Sequence, residues 1–339
     1  VIDLIVARGG PAGLATAIHA AQANLDVVVV EPRSGPIDKA CGEGLMPDAV
    51  ARLNALGIDP EGVDLTGIRD LSDSRVATAR FTAGPVRGVR RTALHEAMCA
   101  RALEVGVRMM SSRVTDVTQT ADEVEAAGLR GRYLIAADGL HSPTRRAFGL
   151  QAPTSGARRF GLRQHFKVSP WSDIVEVHWL PRQEVYVTAV RPDTVGVAVL
   201  GPGRLNLDSA ISSLPTLAGH LTGAPVASSL RGAGPLRQST TSAVSGRVLL
   251  VGDATGYVDA LTGEGMRIGF AEAQAAVEAI AINQPDRYEA QWRSITRSYG
   301  NVTNTLLWVG GKPKLRQMIV PASQALPWAF TRVVDQIAG

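Results

Sequence analysis

The segment IDLIVARGGPAGLATAIHAAQANLDVVVVE constrains this chain more than any other. An apolar run from Ile2 to Ala7, a glycine turn, an Ala-rich stretch from Pro11 to Ala23 and a Val-rich run from Asp26 to Glu31 predict a βαβ unit of about 30 residues. Its crossover helix makes the two strands parallel. In such a turn the glycines permit a tight bend, a close backbone approach to a pyrophosphate and tight packing of helix on strand, while the helix N-terminus attracts phosphate. Gly10 and Gly13 take the second and third glycine positions, with Gly9 just before them. Glu31, ending the second strand about 20 residues beyond Gly10, is placed to accept hydrogen bonds from ribose hydroxyls. Arg8 stands where the first glycine belongs, either as a cation beside the pyrophosphate or as drift that weakens binding.

Composition narrows the function classes. With 339 residues, 45% of them hydrophobic and 19% charged, the chain can bury a large globular core. The net charge of +4 is spread without a block of like charges, which argues against a nucleic-acid arm. Cys41 and Cys99 form neither a CxxC pair nor a disulfide framework, so a reducing cytoplasm is expected. His19, His95, His141, His165, His178 and His220 show no metal spacing, and no metal is expected. No apolar run reaches the roughly 18 residues of a membrane span, and the first strand runs straight into the glycine turn, unlike a signal peptide.

Further along, Thr92 reads as a helix N-cap and Gly106 as the helix stop, followed by strands around 107–117 and 133–137. From Phe160 to Leu200, runs such as VEVHWL and VYVTAV alternate without helices, marking a β-rich insertion before RVLLVGD resumes the first fold. Beyond Ile282 the pattern is helical, interrupted by Gly310, Gly311, Pro321 and Pro327. These segments are expected to pack on the first domain over a substrate entrance. Lys312, Lys314 and Arg316, set between apolar stretches, leave peripheral membrane contact as the weaker alternative.

Two more motifs complete the set. In YLIAADGLHSPTRRAFG a strand ends at Asp138-Gly139, with Ser142 and Arg145 following; in RVLLVGDATGYVDALTGEGMRIGFAEAQ a strand delivers Gly252-Asp253, and a helix opens near Gly265. The first resembles the DGxxSxxR motif of flavoprotein hydroxylases. Together with the glycine turn, the segments resemble the family containing class A flavoprotein monooxygenases and geranylgeranyl reductases, over roughly residues 1 to 290. The resemblance implies an α/β chain: a glutathione-reductase-like, Rossmann-type FAD-binding domain (1–155 and 243–284), a β-sheet substrate domain (156–242) and a C-terminal helical segment (285–339). It also implies FAD as cofactor, NAD(P)H as a transient co-substrate and a small-molecule substrate. Gly9, Gly10, Gly13, Glu31, Arg91, Asp138, Gly252, Asp253 and Gly265 are then the cofactor-binding candidates, with Asp253 facing the ribityl chain and the helix at Gly265 aimed at the isoalloxazine.

On the substrate side the candidates are Cys41, His165, His178 and Tyr186. Cys41-Gly42-Glu43-Gly44 resembles the CGGG of the reductases with Glu43 in place of a glycine. The reductase signature YxWxFP survives only as Tyr186, since Thr188 and Val190 replace its Trp and Phe and Pro192 falls one residue late. A monooxygenase therefore comes first, a double-bond reductase second, and a degenerate, non-redox binding or cyclase role third.

Overall fold

A computed structural model describes residues 2–72 and 75–338, apart from the side chain of Ser298. The order opens with β1 (Ile2–Ala7), α1 (Pro11–Gln22) and β2 (Val27–Val30). Next come β3 (Gly44–Leu45), α2 (Pro47–Ala55), β4 (Val63–Leu65), β5 (Gly67–Ser72), β6 (Arg75–Arg80) and β7 (Val86–Gly88). α3 (Arg91–Glu104) and β8 (Arg108–Met110) lead to β9 (Val117–Gln119), β10 (Val124–Ala126), β11 (Leu129–Ala136), α4 (Pro143–Ala147) and β12 (Gln151–Ala152). Then run β13 (Arg159–Lys167), β14 (Ile174–Trp179), β15 (Glu184–Arg191), β16 (Thr194–Pro202), α5 (Leu207–Ser212) and α6 (Pro215–Leu221). β17 (Arg231–Ala233), β18 (Ser239–Thr240), β19 (Val244–Ser245) and β20 (Val248–Leu250) precede α7 (Gly265–Ala281), α8 (Pro285–Gly310), α9 (Pro313–Ala325) and α10 (Pro327–Ala338).

The first sheet has a parallel core in the order β20-β11-β1-β2-β8. Its strands are apolar on both faces because helices cover one side and β9–β10 with neighbouring loops the other; all four valines of β2 are buried. The chain runs from β1 to β2 and β8 on one side and returns to β11 and β20 on the other. That reversal opens a crevice at the carboxyl ends of the strands, where ligands bind in open α/β sheets. Arg8–Gly10, Asp138–Gly139 and Gly252–Asp253 follow the three strands that border it.

The second sheet runs β17-β13-β16-β15-β14-β5-β6. The β-rich stretch does not make it alone: β14 pairs in parallel with β5, from a segment about 100 residues earlier, which covers backbone groups that would otherwise form an open edge. Alternation gives each face a character. Val185, Val187, Val195, Val197 and Val199 lie on one face beneath Leu207, Leu217 and Leu221 of α5 and α6. The opposite, inner face carries Arg163, His165, Tyr186, Thr188 and Asp70, in register across β13, β16, β15, β14 and β5.

The C-terminal helices depart from expectation. α8 packs on α7, but α9 and α10 pack on β6, with α9 also reaching β5, so they close the sheet of the second unit rather than lying only on the first. Pro321 sits inside α9 without ending it. Arg316 is buried, not a surface cation: its guanidinium donates to Leu180 O, Gln183 O and Glu184 Oε1, each at 2.6 Å, and lies over the Trp179 ring. Glu184 also pairs with Arg159, which holds Asp259, so one buried ion cluster joins α9 to the loop before α7. Among the described residues no helix is long and apolar enough to cross a membrane.

Candidate active site

The glycine turn is held from below. Gly9 N donates to Glu31 Oε2 (3.0 Å), and a Cβ on Gly13 would lie 2.1 Å from Arg8 O, so only glycine lets α1 sit this close to the turn. Pro11 occupies the first turn of α1, where its missing N–H costs no helical hydrogen bond. His95 of α3, buried under the turn, pairs its Nε2 with Gly9 O at 2.8 Å. Arg8 adopts φ 89°, a conformation natural to glycine. Its guanidinium leans 3.5 Å from Glu31 rather than toward the helix N-terminus. Glu31 also accepts from the backbone and guanidinium of Arg33. Burial acts to raise its pKa, but the bonds from Arg33 and Gly9 prevail and hold the carboxyl at about 2.

Asp138 Oδ2 accepts from Thr144 N (3.1 Å), while its Oδ1 is buried without a partner. Ser142 caps α4 through Arg145 N (2.9 Å). Fully buried Arg145 donates to Leu140 O, Asp253 O and Ala254 O, stapling the second motif to the third. At that third motif Gly252 takes φ 64°, and Glu272 of α7 accepts from Gly252 N (2.6 Å) and Thr255 Oγ1 (3.0 Å). Complete burial pushes Glu272 up to about 8. Nothing in the motif spacing singled out Glu272 or His95; both act by fixing turns.

Asp253 opens into the crevice, so water reaches it although protein surrounds it at longer range. That surrounding protein raises its pKa, with Lys39, Arg91 and Arg145 opposing. A Cβ on Gly139 would lie 3.4 Å from Lys39 Nζ, which places this lysine, unremarked in the sequence, across the crevice from the Asp-Gly turn. Arg91 starts α3, gives its N–H to Glu43 Oε1 (2.7 Å) and leaves Nε buried without a partner. α7 begins at Gly265, and a cavity of about 230 Å³ lies between its first turn, Gly252–Tyr257 and Trp292 of α8.

Of the substrate-side candidates, the structure joins His165 to the loop containing Cys41. Cys41 Sγ accepts from Glu43 N (3.4 Å); Glu43, at φ 60°, buries its carboxylate against His165 Nε2. Burial lowers the pKa of His165, with Glu43 opposing, and Arg163 and Ser228 contact its Nδ1 at 3.1 and 2.8 Å. Arg163 also ties down Asp38 and Lys39 O. Glu43 is therefore a clasp between the crevice loop and the inner sheet face. Tyr186, also on the inner face, donates to Leu261 O (3.2 Å) in the loop before α7. His178 is a correction: it pairs in register with Val185, so alternation turns it to the outer face, 3.5 Å from Glu176 and away from the crevice.

Asp138 Oδ1 and Arg91 Nε, an acceptor and a donor buried without partners, together with the open glycine turn and the accessible Asp253, fit a cofactor carrying phosphates and many hydroxyls. Residues 2–284 match the FAD binding domain family. The chain belongs to that family. It is an FAD-dependent oxidoreductase by descent. This flavoprotein is 27% identical over 332 residues to the menaquinone reductase of Mycolicibacterium smegmatis, covering 88% of this chain and 80% of the relative. It is 26% identical over 317 residues to digeranylgeranylglycerophospholipid reductase 1 of Methanothermobacter thermautotrophicus, covering 83% and 78%. In fold it resembles p-nitrophenol 4-monooxygenase PnpA from Pseudomonas putida, with a TM-score of 0.82, 17% identity and coverage of 100% and 98%.

Proposed function

We propose that this flavoprotein takes electrons from NAD(P)H and reduces a carbon–carbon double bond in an apolar, isoprenoid-like small molecule. Bound FAD supplies hydride transfer. Gly9, Gly10, Gly13 and the α1 N-terminus would receive the pyrophosphate, Glu31 the adenosine ribose, Asp253 the ribityl chain, and Arg91 and Asp138 the groups their free atoms await. The observation that carries the reductase reading is Asp70. It is 6% exposed on the inner face, in one row with Val177 and Tyr186, and forms no ion pair among the described residues. Burial raises its carboxyl to about 7, against a small opposing effect of the neighbouring Trp179 indole. A carboxyl protonated near neutrality supplies the proton that must accompany a hydride added across a double bond.

This order reverses the one drawn from motifs, where the missing aromatic residues at Thr188 and Val190 weighed against a reductase. Names of the relatives on the reductase side, found at higher sequence identity, support the change; the likeness to a monooxygenase is one of fold. Anaerobic incubation of the reduced holoenzyme with a polyprenyl alcohol, which has no quinone ring to take the electrons, tests the reading by mass spectrometry. Gain of two hydrogens without oxygen is expected. Product formed only with oxygen, carrying one added oxygen atom, would instead establish the monooxygenase.

A further inference from the structure

Where α3 begins, the end of the inner sheet meets it and leaves a second cavity, of about 170 Å³. Its wall is Arg90, Thr92, Lys167, Arg191, Thr194 and Ala227: three cations, two hydroxyls and no carboxylate. Lys167 is tied to Asp193 at 2.5 Å on the rim. Arg90 and Arg191 form no ion pair among the described residues, and Arg90 Nε is buried without a hydrogen-bond partner. Burial lowers the pKa of Arg90, as do Arg163 and Arg191, whereas Glu43 and Asp38 beneath it act the other way. The N-cap of α3 is Arg90, whose own side chain accepts nothing from the first turn, and the Glu43 carboxylate takes the Arg91 N–H on the crevice side of that helix end.

Arg90 is half-buried, and a guanidinium N–H buried without an acceptor, as its Nε is, is costly unless an anion completes it. The cavity falls below the roughly 300–1,000 Å³ of sites that enclose whole drug-sized ligands, so it suits one charged end of a larger molecule. We propose that this pocket binds a phosphate group, distinct from the FAD crevice and independent of the reductase reading. Arg191 and Lys167 supply exposed cations at the mouth, Lys167 sharing its charge with Asp193, while Arg90 supplies its buried Nε donor and Thr92 and Thr194 the hydroxyls. Two sources share this chemistry: the 2′-phosphate of NADPH and the head group of a prenyl diphosphate.

The test is titration calorimetry of the FAD-loaded protein with inorganic phosphate. Lys167→Gln/Arg191→Gln is compared with Lys314→Gln, which removes an exposed cation elsewhere. Affinity should fall at least about tenfold in the double variant and stay unchanged in the control. Equal binding by wild type and double variant, or none by wild type, would overturn the site. NADPH, NADH and a prenyl diphosphate then separate the sources. Weakening confined to NADPH over NADH assigns the nicotinamide phosphate, weakening confined to the prenyl diphosphate assigns the substrate, and loss for neither contradicts the proposal.

Discussion

The glycine turn and the loop carrying Cys41 and Glu43 border the same crevice, yet they are held in different ways. The turn rests chiefly on the neighbouring strand, where Glu31 answers Gly9, Arg8 and Arg33, with His95 of α3 beneath Gly9 O. The loop rests on a carboxylate whose partner, His165, comes from the other sheet 122 residues later. The first arrangement offers its spare polar capacity to a ligand. The second spends its polar groups on joining the two units. Removing a carboxylate should therefore cost cofactor affinity in one place and stability in the other.

Glu43→Ala should give the largest effect. It leaves His165 Nε2 and the Arg91 N–H without their shared acceptor, about 1–3 kcal/mol for each buried group left unsatisfied, and it should appear as a lowered denaturant midpoint. An unchanged midpoint would end the distinction between clasp and cradle. Glu31→Ala and Asp253→Ala should each weaken FAD binding by about 1–3 kcal/mol, measured by flavin titration. Intact affinity in both would remove the cradle from the account.

The pH dependence is next. A carboxyl whose pKa is raised on folding binds more protons in the native state, so stability falls as pH rises between the unfolded and folded values. Asp70 and Glu272 both have this sign, from ordinary carboxyl values of 3.8 and 4.5 to about 7 and about 8. The melting temperature should decline across that window, and Asp70→Asn should flatten the part below about pH 7. A variant that declines as steeply as wild type would show that Asp70 is ionised throughout. The smallest effect is expected from Arg8→Gly. Relief of a left-handed backbone is worth about 1 kcal/mol and exceeds the loss of a partly exposed ion pair, so melting should rise slightly and FAD occupancy should hold or rise. A fall in occupancy would make Arg8 a phosphate ligand after all.

What could be read in advance follows the same division. The strand, turn and helix around Gly10, the Asp-Gly turn at 138 and the Gly-Asp turn at 252 are local patterns, and each stands at the end of a strand bordering the crevice. The inner sheet face was legible only as alternation. Whether His165 or His178 faced the crevice depends on register, and a one-residue difference in position decides the face. Asp70 was invisible because its strand precedes the insertion and joins β14 only in the folded molecule. Arg316 looked like a surface cation because its carboxylate, Glu184, lies 132 residues away.

The central claim is a hydride added from the cofactor side and a proton delivered from the inner face. Anaerobic stopped-flow reoxidation of the reduced flavin by a polyprenyl alcohol, which has no quinone ring to take the electrons, recorded against pH for wild type and Asp70→Asn, tests it most directly. The account predicts a wild-type rate that falls as pH rises through about 7 and an Asp70→Asn rate that is slow and lacks this inflection. Equal rates and a shared pH profile in the two proteins would contradict it.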